Sequence, residues 1–132
     1  MRYLTPRKSA EGLGAARTGT HDHWFMTVTA VSLVFLVPCF VFVLGTAIGR
    51  PQAEVVLLFS RPFPAIVTAL VAVVGMLHFA RGAKTMIEDY TGGITRELAV
   101  IAANGVAYVI MFTVLYALGK MVFLGTLIEA MK

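Results

Sequence analysis

His78 stands inside an apolar run from Pro62 to Ala80 that carries no formal charge. An imidazole at membrane depth can ligate a metal, relay a proton or hydrogen-bond a neighbouring helix, and its cost in lipid makes it a functional-site candidate by default. On a helix, Gly75, Gly82 and Asp89 lie at offsets of −3, +4 and +11 from His78, on roughly one face. Glycine one turn to either side would let a flat ligand such as a porphyrin edge approach while the imidazole nitrogen reaches its metal. The same pattern also fits glycines that serve helix packing and a histidine that hydrogen-bonds an adjacent helix.

The stretch ends in Asp89 and Tyr90. A phenol at the water interface can donate a hydrogen bond to a carbonyl of a lipid-soluble ligand, or it can be a plain interfacial anchor. About 18 Å separates it from His78 along a continuous helix, so two sites are expected, a deeper one and a shallower one. His21, Asp22, His23 and Trp24 gather at the start of the first apolar run. Histidines at i and i+2 point to different faces, so a zinc site would need further ligands, and interfacial hydrogen bonding is the expected role.

These residues need helices to position them. The 132-residue chain is 58% hydrophobic, with a mean hydropathy of +0.83, which places it in the membrane class. Three runs lack formal charge, Trp24 to Gly49, Pro62 to Ala80 and Leu98 to Gly119, each near or above the roughly 18 to 20 residues that cross the hydrocarbon. The expectation is an all-α protein: an N-terminal arm over 1–23, then a domain over 24–132 with membrane helices at about 24–48, 62–88 and 97–124. Arg81 and Lys84 would snorkel from the second helix and Lys120 from the third, leaving Met121 to Ile128 as an interfacial extension.

A cleavable signal is not expected, because no apolar stretch precedes Trp24 and the first run is too long for an h-region. With three spans, Arg2, Arg7, Lys8, Arg17, Arg81, Lys84 and Arg96 share one side against Arg50, Arg61, Lys120 and Lys132 on the other. The positive-inside rule makes the first side cytoplasmic and the C-terminus periplasmic. The formal charge of +4 is scattered over these boundaries, which argues against nucleic acid as a partner and for the bilayer.

Gly12, Gly14 and Gly19 match neither dinucleotide nor Walker spacing, which leaves a flexible or partner-bound arm. Gly45 and Gly49 form a GxxxG that would permit close helix contact. The single Cys39 cannot by itself hold an iron–sulfur cluster or an internal disulfide, and is expected to be a packed thiol. No nucleophilic triad or pair of inward carboxylates appears. Any chemistry would depend on a cofactor or apolar ligand held between these helices and a partner's.

The HxxxG of His78 and Gly82 with the terminal Asp89-Tyr90, the THDHW approach to the first helix with Thr29-Ala30 beyond it, and the three-helix length resemble the membrane-anchor family of succinate dehydrogenase, respiratory complex II. The likeness is to the smaller of two anchor chains. It implies that His78 is one axial ligand of a haem b shared with the second anchor subunit, with Gly75, Gly82 and Arg81 around it. It also implies that Tyr90, with Asp89, forms part of a ubiquinone-reduction site.

FAD and iron–sulfur clusters would then reside only in a flavoprotein subunit and an iron–sulfur subunit, and the chain would not be an enzyme alone. The expected location is a bacterial inner membrane. One departure is Thr27, where related chains often place a basic residue that meets a haem propionate; Arg17, Arg81 or the partner would replace it. A fumarate-reducing or haem-poor relative shares this architecture. A non-redox scaffold or transporter subunit is the reading from a different class.

Overall fold

Residues 4–12 and 19–131 are described in this computed structural model, and among them every regular element is an α-helix. The chain runs through α1 (Pro6–Glu11), α2 (Gly19–Ala47), α3 (Gln52–Ser60), α4 (Pro62–Tyr90) and α5 (Gly93–Ala130). Helices α2, α4 and α5 are long and apolar enough to cross a membrane. At 1.5 Å per residue, α2 and α4 are about 44 Å long and α5 about 57 Å, against a hydrocarbon core of roughly 30 Å. Arg2, Gly14, Arg17 and Lys132, which entered the charge and motif readings, lie outside the described residues.

The bounds differ from the expected ones in an instructive way. α2 begins at Gly19 rather than near 24, α4 continues to Tyr90, and α5 covers 93–130. A hydropathy boundary marks where lipid ends, whereas a helix continues until something stops it. At the close of α4 the stop is the Thr91 to Gly93 turn, where Thr91 donates both its N–H and its hydroxyl to the Ile87 carbonyl and Gly93 adopts φ +60°. The N-terminal arm holds a helix of its own, α1, opened by Thr5, whose hydroxyl accepts from the Lys8 N–H at 3.2 Å, with Pro6 at its first position.

The connection between the first two spans contains the unanticipated α3. It starts after Pro51 and ends at Arg61, next to Pro62. α4 is the central helix, packed on α2 and on α5, while α3 lies mainly against α5. Val43, Phe59 and Leu118 form the buried apolar cluster, joined by Val55, Val114 and Met121. The stretch expected as an interfacial extension therefore has a partner. Gly125 is buried there, and a Cβ on it would overlap the Ser60 side chain.

Two expectations are corrected. Cys39 is exposed, because only the stripe of α2 that meets its neighbours is covered. Gly45 and Gly49 make no close helix contact within this chain, since an added Cβ would meet nothing within 4 Å. Gly49 instead follows the end of α2 with φ +79°, a conformation that favours glycine.

Candidate functional site

The α2–α4 seam sets the positions of the polar side chains. An added Cβ on Gly82 would lie 3.6 Å from Met26 Cε, and one on Gly75 would lie 3.9 Å from Leu33 Cδ2. Between these contacts, Thr29 Oγ1 sits 2.8 Å from His78 Nδ1. As α2 advances through 26, 29 and 33, α4 retreats through 82, 78 and 75, so the two helices run antiparallel with spacings of three and four residues on each. That is the spacing of a helix–helix seam. The glycine face around His78 thus receives side chains of α2.

Thr29 is buried and His78 half-buried. Besides its contact with the imidazole, the Thr29 hydroxyl lies 2.8 Å from the Phe25 carbonyl and 3.1 Å from that of Met26. In the sequence Thr29 counts only as part of the Thr29-Ala30 pair, with no role of its own. Its signal was position, since it lies seven residues from Asp22 and therefore on the same face.

One turn toward the water interface, the Arg81 guanidinium donates from Nη1 to Asp22 Oδ1 and stacks over the Phe25 ring, 4.2 Å from its centroid. Arg81 is therefore tied to the start of α2. Thr27 donates its hydroxyl to the His23 carbonyl at 2.9 Å. On the side of α4 facing α5, Asp22, Arg81, Lys84, Glu88, Asn104 and Tyr108 line a cleft of about 410 Å³. Its charges are balanced, with Lys84 Nζ 3.8 Å from Glu88 Oε1 beside the Arg81–Asp22 pair.

Asp89 and Tyr90 end α4, and both are exposed, Tyr90 to 86%. With His23, Asp22, Gly82 and Thr85 they line a second cleft of about 520 Å³ between the start of α2 and the end of α4. The sequence placed His23 and Tyr90 at one membrane face; the fold puts them on one cleft. His78 does not line it, and α4 is unbroken between His78 and Tyr90, so the deep and shallow positions are separate. The cleft combines a phenol, a carboxylate and an imidazole beside the apolar Met26 and Met86, a set that can hydrogen-bond a carbonyl and exchange protons with water.

Among the described residues, no three of His, Cys, Asp and Glu come together as a metal site. His21 lies 3.9 Å from Asp22 and is largely exposed.

Comparison with known proteins adds a lineage to this geometry. The model of a family described as "Succinate dehydrogenase/Fumarate reductase transmembrane subunit" matches residues 1–119. A protein of Paracoccus denitrificans named "Succinate dehydrogenase hydrophobic membrane anchor subunit" is 49% identical over 121 residues, covering 92% of this chain and 94% of that protein. No solved structure matches the chain.

Proposed function

The chain belongs to the succinate dehydrogenase/fumarate reductase transmembrane subunit family, and from that premise we propose that it anchors a succinate:quinone oxidoreductase and supplies half of a haem b site and part of a ubiquinone-reduction site. The observation that carries the haem half is the Thr29–His78 contact within the membrane seam. An imidazole bonded through Nδ1 is held in a fixed orientation with Nε2 left as the ligating atom. The residues fit a b-type haem in that His78, held through Nδ1 by Thr29, would offer Nε2 to the iron, with the other anchor subunit supplying the second ligand. Bound there, the haem would supply a one-electron carrier at membrane depth.

The quinone half rests on the shallower cleft. Reduction of a quinone takes two electrons and two protons and yields the quinol, the electrons coming from iron–sulfur clusters of the soluble subunits. Tyr90 donates a hydrogen bond to one quinone carbonyl and polarises it. Asp89, exposed at the mouth, passes protons from water. Partners in this reading are the second anchor subunit, the iron–sulfur subunit and the flavoprotein subunit that holds FAD.

The basic residues Arg81, Lys84 and Arg96 at the ends of α4 and α5 support a cytoplasmic position for Tyr90. The N-terminus is then cytoplasmic and the C-terminus periplasmic in a bacterial inner membrane. Arg81 is engaged by Asp22 through Nη1, and its remaining N–H donors, Arg17 or the partner subunit would meet a haem propionate.

The test is a reduced-minus-oxidised optical spectrum with a pyridine haemochrome assay on the detergent-purified complex, wild type and His78→Ala. The expected result is a low-spin b-haem in the wild type that is lost in the variant while the chain still inserts, since alanine favours helix. An unaltered low-spin haem in the variant would sink the ligand assignment.

A further inference from the structure

The hydrogens at the Thr29–His78 contact can be counted. A threonine hydroxyl has one hydrogen, and three polar atoms surround that of Thr29: the Phe25 carbonyl at 2.8 Å, the Met26 carbonyl at 3.1 Å and His78 Nδ1, donor or acceptor by tautomer, at 2.8 Å. If the hydroxyl donates to Nδ1, the ring proton lies on Nε2, the carbonyl contacts go unused, and Nε2–H needs an acceptor. Among the described residues, the hydrogen bond of His78 is the one to Thr29. If instead Nδ1 carries the proton, it donates to Oγ1 while the hydroxyl donates to an α2 carbonyl. Two hydrogen bonds then replace one, and no donor is stranded at membrane depth.

We propose that Thr29 is a positioning residue for His78: its hydroxyl, anchored to the Phe25 and Met26 carbonyls, accepts Nδ1–H and thereby fixes the tautomer, the ring plane and the electron-donating strength of the imidazole at Nε2. This rests on the reading of His78 as an axial ligand. The physical effect runs through the ring. An acceptor on Nδ1–H pushes electron density onto Nε2 and makes it a more basic ligand, which favours oxidised over reduced iron. The contact therefore holds the redox potential of the haem below the value it would have without the hydroxyl. Van der Waals contacts flank the hydrogen bond, Met26 against Gly82 on one side and Leu33 against Gly75 on the other.

The experiment is a redox titration of the haem, with its low-spin electron paramagnetic resonance signal, in the assembled complex carrying Thr29→Val, Thr29→Ala or Thr29→Ser. Valine keeps the branched shape and removes the hydroxyl; serine keeps the hydroxyl. The potential is expected to shift upward in the Val and Ala variants, with altered low-spin g-values, and to stay at the wild-type value in Thr29→Ser. Should the valine complex fail to assemble, the alanine variant gives the same reading. Wild-type potentials in the hydroxyl-free variants, or an equal shift in Thr29→Ser, would overturn the proposal. His78→Ala, measured alongside, separates the two levels. Loss of haem there with wild-type potentials in the Thr29 variants defeats the positioning role alone, whereas an unaltered haem in His78→Ala defeats the ligand reading beneath it.

Discussion

The two ends of this bundle are built on different principles. Around Val43, Phe59 and Leu118 apolar side chains of α2, α3 and α5 bury one another beside a smaller apolar cleft of about 200 Å³, and Gly125 lets α3 approach α5 closely. Around Asp22, Arg81 and Tyr90 the chain stays more open, with two larger clefts and helices joined by polar contacts at a few points. Apolar packing is non-directional and fills space, whereas an ion pair or hydrogen bond fixes two atoms and leaves the space beside them free. Under the proposed function, a membrane subunit that receives a ligand and a partner at one end would place its own stability at the other.

The division predicts that stability and function respond to different substitutions. The largest effect on folding is expected from Gly125→Val, which would push the helix into Ser60 and cost about 1–3 kcal/mol by overpacking. Thermal unfolding of the purified complex would register it, and an unchanged melting curve would break the comparison at its apolar end. Next is Tyr90→Phe. Loss of one hydrogen bond to the quinone carbonyl, about 1 kcal/mol, should slow quinone turnover by several-fold while melting and electron transfer to a soluble artificial acceptor stay at wild-type values. Equal loss with both acceptors would mean that the open end also carries assembly.

The smallest effect is expected from Asp22→Asn. Its carboxylate is about half exposed, so its pair with Arg81 contributes about 0.2–1 kcal/mol and less at high salt. Melting temperatures compared at low and high ionic strength would read it. A loss as large as that at Gly125 would erase the distinction between the ends.

The three spans were legible because charge-free runs of membrane length leave few alternatives. Their ends were not, since charged and polar residues mark the water interface while backbone hydrogen bonding continues through Gly19 to His23 and past the expected end near 124 to Ala130. α3 was hidden for a related reason: the ten residues between Pro51 and Pro62 read as a connection by length, and α3 packs on a partner, α5, that no local pattern names. At the site, the shared face of Gly75, His78 and Gly82 was visible from helical spacing. What filled it was not. Thr29 and Met26 belong to another helix, and pairing them with α4 needs the antiparallel register that only the fold supplies. Cys39 went the other way, its burial inferred from its apolar surroundings, which are as apolar facing outward as inward.

The length of α5 has a consequence for how the molecule sits. A helix of about 57 Å cannot stand upright within a hydrocarbon layer of roughly 30 Å without projecting from it. In this chain the closing turns that run past Lys120 are braced by α3, which is bounded by Arg50 and Arg61. Those arginines prefer the headgroup layer, so the braced pair works like the collar on a post, resisting any sinking of the bundle into the bilayer. A thinner or thicker membrane would then be met by a tilt of the packed helices as a unit. The height at which Tyr90 meets the opposite surface is thus tied, through α4 and α5, to a float on the far side.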